Sequence, residues 1–158
     1  MTRKDIVIPI NVVSYTELSD SERTLVDTAR KATERSYSPY SHFSVGAAIL
    51  LSNGEIISGS NQENAATPSS LCAERTAAFY AHSTYPQEKF LAIAIAARDT
   101  DGTEIKMPIA PCGGCRQTLL EYETLAGQNV KVILVGANEI YILPSVKSLL
   151  PVAFTEFN

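Results

Sequence analysis

Three cysteines, and no more, occur in this chain, and they sit in two short segments far apart in the sequence. One is Cys72-Ala73-Glu74; the other is Pro111-Cys112-Gly113-Gly114-Cys115. Cys-x-x-Cys is a common metal-ligand spacing, and Cys72 can supply a third thiolate. If the three share one ion, the fold must bring both segments to one place. Three protein ligands with no obvious fourth leave a position open for water, the pattern of catalytic zinc.

The spacing alone leaves three readings open: a catalytic zinc, a structural zinc, and thiol redox chemistry. A closed structural site needs a fourth ligand. His82 follows Cys72 by ten positions, about 15 Å along one helix, and cannot reach. His42, beside an apolar strand, is not excluded by spacing. Glu74 favours catalysis, because a carboxylate that is not a ligand can move protons between water and a substrate. Being two residues from Cys72, it converges with that cysteine only if Cys72 lies at a helix cap or first turn. Three bound thiolates leave the site negative, so Arg75, three residues from Cys72, is expected to donate to the cysteine sulfurs. The alternative for Arg75 is a surface salt bridge.

The rest of the chain supplies a frame. At 158 residues it can bury a core of one domain. A net charge of -4 argues against a nucleic-acid polymer or an anionic membrane as partner, since both need a basic surface. The apolar run Ile6 to Val13 is broken by Pro9 and Asn11 and is too short to span a bilayer. It lacks a signal-peptide cleavage site, and the cysteine usage suits a reducing cytoplasm.

Ile6, Ile8, Ile10 and Val12 alternate with a strand's period, and Pro9 limits them to an edge strand or a loosely docked arm. Ser19-x-x-Glu22 resembles a capping box and starts a first helix with Leu25, Ala29 and Ala32 on one face. Tyr37-Ser38-Pro39-Tyr40 ends it. Asn53-Gly54 between apolar runs predicts a hairpin of Phe43–Leu51 with Glu55–Gly59. A second helix starts near Cys72 with Ala73, Thr76, Ala77, Tyr80 and Ala81 on one face. Phe90–Ala97 reads as a central strand, and Cys112, Cys115, Leu119 and Tyr122 mark a third helix. Val130–Val135 and Ile140–Leu143 read as further strands, before a short helix at Ser145–Leu150. The pattern predicts a three-layer α/β/α fold with a mixed five-stranded sheet, in one domain over residues 17–158 behind an arm of residues 1–16.

Five strings then carry a resemblance over most of the chain. They are Tyr40-Ser41-His42-Phe43-Ser44-Val45-Gly46-Ala47-Ala48, Asn61-Gln62-Glu63-Asn64-Ala65, Cys72-Ala73-Glu74-Arg75-Thr76-Ala77, Pro111-Cys112-Gly113-Gly114-Cys115-Arg116-Gln117 and Leu149-Leu150-Pro151-Val152-Ala153-Phe154. Together they resemble the small homotetrameric, zinc-dependent cytidine deaminases of the cytidine/deoxycytidylate deaminase family. The resemblance implies one zinc per chain on Cys72, Cys112 and Cys115. It implies Glu74 as the shuttle carrying a proton from the attacking water to the ring nitrogen, with ammonia leaving to give uridine. It assigns Asn61 and Glu63 to the ribose and Phe43 to the base, places Ala73 among the substrate contacts, and makes Phe154 an aromatic contributed to a neighbouring subunit's pocket. Without the resemblance, Asn61 and Glu63 would read as loop residues and Phe43 as core.

A shared tetrameric active site, nucleoside salvage in the cytoplasm, and cytidine or deoxycytidine as substrate follow from the same resemblance. The nearest rival is a deaminase of another aminopyrimidine nucleoside, such as blasticidin S. That branch shares the zinc strings but lacks the Asn-x-Glu-Asn pattern found here at Asn61–Asn64. The acidic balance and short chain disfavour a polynucleotide-editing enzyme.

Overall fold

Ser19 opens the first long helix in the manner its sequence specifies. In the computed structural model, which describes residues 1–156, α1 spans Asp20–Ala32. Ser19 and Glu22 cap each other reciprocally. Leu25, Val26, Ala29 and Ala32 form its buried face. The helix stops before the Tyr37–Tyr40 segment expected to end it, tightening into a 3₁₀ turn at Thr33–Arg35. There the Thr33 hydroxyl donates to the Arg30 carbonyl at 2.6 Å. Gly46 lies directly beneath: a Cβ there would stand 2.2 Å from the Ala29 carbonyl oxygen. Only glycine lets α1 sit this close to the sheet.

The hairpin forms as expected, β2 (Ser44–Leu51) returning as β3 (Ile56–Ser60). Gly54 takes the positive φ of 88° that the turn needs. β4 (Phe90–Arg98) is the central strand, antiparallel to β2 and parallel to β5 (Lys131–Val135). β6 (Ile140–Leu143) follows antiparallel to β5. The sheet is mixed but has six strands, in the order β1-β6-β5-β4-β2-β3, rather than the expected five. The sixth is β1, Asn11–Val13, paired with β6 at the sheet edge. It belongs to the N-terminal arm, and only the part beyond Pro9 pairs. Proline cannot donate to a ladder, and Ile6, Val7, Ile8 and Ile10, which precede β1, are exposed.

Helices cover both faces of the sheet. α1 packs with Ala48, Ala94, Ala96, Ile133 and Val135 on one side. On the other, α2 (Ala73–Thr84) and α3 (Gly113–Ala126) pack over Ala47, Ile49, Ile93, Ile95, Val132 and Leu134. The buried face of α2 is Ala73, Glu74, Ala77, Ala78 and Ala81. Tyr80, expected on one face with Ala73, Ala77 and Ala81, parts from them and is 60% exposed. The reason is close approach: a Cβ on Gly59 would stand 2.5 Å from the Ala77 nitrogen, so the contact face of α2 has room for alanines and none for a tyrosine. The C-terminal helix is a 3₁₀ turn, Val146–Leu149.

Glu22 also joins distant parts of the sequence. Its Oε1 accepts from Lys131 Nζ at 2.8 Å while Oε2 accepts from the Ser19 amide at 3.0 Å. The Lys131 hydrogen bond leads in pulling its carboxyl down to about 2. A carboxyl lowered on folding stabilises the native state above its unfolded-state pKa, and loses that contribution as pH falls through the folded value. Stability measured by urea denaturation should therefore drop between about pH 5 and pH 2. In Glu22→Gln that part of the drop is expected to be absent, with a lower stability at neutral pH.

Candidate metal centre and adjoining residues

α2 and α3 lie on the same face of the sheet and both begin at a cysteine. Cys72 is the N-cap of α2 and Cys112 the N-cap of α3, each in extended conformation, with ψ of 155° and 165°. Cys115 lies one turn into α3 and is fully buried. The two helix starts bring the three sulfurs within 4.8 Å of one another, and Cys72 Sγ is 3.9 Å from Cys112 Sγ. Zinc–sulfur bonds of about 2.3 Å at tetrahedral angles require sulfurs about 3.8 Å apart. The residues fit a zinc ion. Among the described residues this is the one group of three or more Cys, His, Asp or Glu side chains close enough to hold a metal. Neither His42 nor His82 belongs to it.

The surroundings favour negative charge on sulfur. Helix N-termini carry partial positive charge. Arg75 Nη2 donates to Cys72 Sγ at 3.7 Å, and Arg75 Nε is buried with no hydrogen-bond partner among the described residues. A hydrogen bond from Cys115, aided by Arg75, pulls the Cys72 thiol down to about 5. The same partnership and burial push Cys115 up. Such a low value at Cys72 marks a thiolate-forming site rather than an inert core cysteine.

Glu74 stands on the first turn of α2, beside Cys72 at the cap, and only 4% of it is exposed. Burial pushes its carboxyl up to about 6, with the negative charge at Cys72 adding to the rise. A buried carboxyl poised near neutrality can both take and give a proton.

The segment 61–63 is tied to the metal segment by paired backbone hydrogen bonds between Gln62 and Leu71, at 2.9 and 3.0 Å. Leu71 directly precedes Cys72. Asn61 Oδ1 accepts from Ser36 Oγ at 2.6 Å and from the Val45 amide at 2.8 Å. Asn61 Nδ2 donates to the Phe43 carbonyl at 2.9 Å. Glu63 accepts from the Tyr40 and Ser41 amides and from the Ser41 hydroxyl. These bonds, the hydroxyl's foremost, hold its carboxyl below the usual range. Asn61 and Glu63 thus clasp the turn that carries Phe43, which is itself half-buried.

Ala73 is fully buried against the sheet, so its methyl group is part of the core. What it can offer a ligand is its backbone N–H, which as a first-turn helix donor has no partner within the helix.

Phe154 is 58% exposed, and its carbonyl accepts from Gln117 Nε2 at 2.9 Å. Arg116 donates to the Pro111 carbonyl at 2.8 Å and to the Leu149 carbonyl at 2.9 Å. The residues following Cys115 therefore tether both the metal segment and the C-terminal tail. Sequence reading gave Arg116 and Gln117 no contacts and passed over Ser36 and Ser41. All four act through partners that no helical or strand periodicity connects.

A family model described as the cytidine and deoxycytidylate deaminase zinc-binding region matches residues 19–134. Cytidine deaminase of Halalkalibacterium halodurans is 41% identical over 131 residues, 83% of this chain and 92% of that protein. Cytidine deaminase of Sporosarcina psychrophila is 40% identical over 132 residues, 84% of this chain and 90% of that protein. Among solved structures, cytidine deaminase from Burkholderia pseudomallei superposes with a TM-score of 0.71 at 37% identity. That match covers 83% of this chain and 97% of the other. The cysteines that the fold assembles lie inside the matched region, and this chain belongs to the cytidine and deoxycytidylate deaminase family.

Proposed function

We propose that this protein deaminates cytidine and 2'-deoxycytidine hydrolytically, giving uridine or 2'-deoxyuridine and ammonia in pyrimidine salvage. One observation carries the reading: three clustered sulfurs with a buried carboxylate, Glu74, on the first turn of the helix that Cys72 caps. Cys72, Cys112 and Cys115 would hold one zinc ion per chain. When bound, the zinc supplies Lewis acidity that makes water a nucleophile at neutral pH.

The remaining steps belong to the chain. Glu74 takes the proton from the attacking water and delivers it to the ring nitrogen beside the amine-bearing carbon. It then passes the remaining proton of the added hydroxyl to the amine, so that the C–N bond breaks, ammonia leaves and the carbonyl of uridine forms. Arg75 offsets the charge of the thiolates. Phe43 presents an aromatic face to the base, the Ala73 N–H adds a donor at the helix start, and Asn61 and Glu63 meet the sugar. Phe154, on its tethered and exposed tail, reaches a neighbouring subunit's pocket in a homotetramer. The arm, residues 1–16, lends its strand β1 to the edge of the sheet, and the catalytic domain spans residues 17–158, whose last two residues lie outside the described ones. The protein works in the cytoplasm; among the described residues no helix is long and apolar enough to cross a membrane.

A purified sample offered cytidine, 2'-deoxycytidine and blasticidin S separately should consume the first two, followed by ultraviolet absorbance. Consumption of blasticidin S alone would move the assignment to the rival branch.

A further inference from the structure

We infer that Ser41 is a positioning residue, which orients Glu63 toward one sugar hydroxyl. The inference rests on the nucleoside reading above and goes beyond it by naming what sets the sugar contact. Two lone pairs of Asn61 Oδ1 are taken, by Ser36 Oγ and the Val45 amide. One of its two amide N–H groups is taken by the Phe43 carbonyl. One donor remains. Glu63 Oε2 accepts from the Tyr40 and Ser41 amides at 2.9 and 3.2 Å, and Oε1 accepts from Ser41 Oγ. One acceptor position remains, on Oε1. A free donor and a free acceptor on two alternate residues of one segment are what a single hydroxyl requires, since it both accepts and donates.

Ser41 decides where that last lone pair points. Its amide and hydroxyl bind the two different oxygens of the Glu63 carboxylate, which fixes the plane of the group. The same hydroxyl oxygen accepts from the Phe43 amide at 3.1 Å. Between them His42 holds a φ of 56°, the only non-glycine residue with positive φ among the described residues. Its amide is secured by the Ser38 carbonyl at 2.9 Å. A non-glycine residue in this region is sustained only by its surroundings. Here Ser41 spans it, with Glu63 on one side and Phe43 on the other. Ser41 is itself exposed and outside the core, so its side chain can be changed without opening the fold.

The test is steady-state kinetics of the wild-type protein, Ser41→Ala and Ser41→Thr with cytidine, 2'-deoxycytidine and 3'-deoxycytidine. The wild type should show a raised KM for the analogue lacking the recognised hydroxyl. Ser41→Ala should raise KM for the nucleosides that carry it by about three- to tenfold, the range of one misplaced hydrogen bond. Its kcat should barely change, and KM for the analogue lacking the hydroxyl should stay at the wild-type value. Ser41→Thr, which restores a hydroxyl, should return the wild-type pattern. An equal penalty on all three nucleosides, or a loss confined to kcat, overturns the inference and makes Ser41 a turn stabiliser. So does a wild type that binds all three alike, a result that needs no variant to fold. A wild type that turns over none of them overturns the nucleoside reading itself, and the inference with it.

Discussion

Glu74→Gln is expected to lower cytidine turnover by about a hundred- to ten-thousandfold, the contribution typical of a positioned acid–base group. Zinc content and fold should be unchanged. The substitution keeps the side chain's size and its place on the first turn of α2. What it removes is the ability to hold and release a proton. Stability separates this role from a structural one. Glu74 is 4% exposed, and burial is the leading cause of its raised pKa. Keeping a carboxylate there therefore works against folding. The variant should melt at or above the wild-type temperature while losing activity. Catalytic sites often trade stability for function in this way. A variant with substantial turnover would remove Glu74 from the mechanism.

Cys115→Ala should abolish both zinc binding and turnover. Cys115 is fully buried and one turn inside α3, so its loss removes the deepest of the three sulfurs. Two cysteines at helix caps remain, too few for a stable site. Binding to the native state alone raises its stability. The wild-type melting temperature should therefore fall when a chelator strips the metal, and that of Cys115→Ala should not respond. Equal chelator sensitivity in both proteins would show that the metal sits elsewhere.

Local chemistry was the part of this fold most legible in the sequence. The Ser19–Glu22 capping box and the Asn53-Gly54 turn each depend on a few adjacent residues, and both formed where expected. Close packing was less legible. Tyr80 shares the helical period of Ala77 and Ala81, yet it faces outward, because backbone contact at Gly59 leaves no room for a ring. The sixth strand was ambiguous for a related reason. Ile6, Ile8, Ile10 and Val12 alternate with a strand's period, but Pro9 decides where pairing can begin without deciding whether it happens.

In the site, the metal cluster followed from cysteine spacing and helix starts. The placement of Cys72 at the cap, the condition set for Glu74 to stand beside it, is what the structure has. The clasp of Asn61 and Glu63 on the 36–45 segment was not readable. It joins residues 16 to 25 positions apart through hydroxyl and amide contacts, and those leave no trace in hydropathy.

The most direct measurement of the central claim is cytidine turnover and zinc content in one purified sample. Loss of cytidine absorbance with about one zinc per chain, as a single three-cysteine site requires, is the predicted result. Full turnover in protein free of zinc would contradict it, as would stoichiometric zinc with no turnover of any cytidine nucleoside.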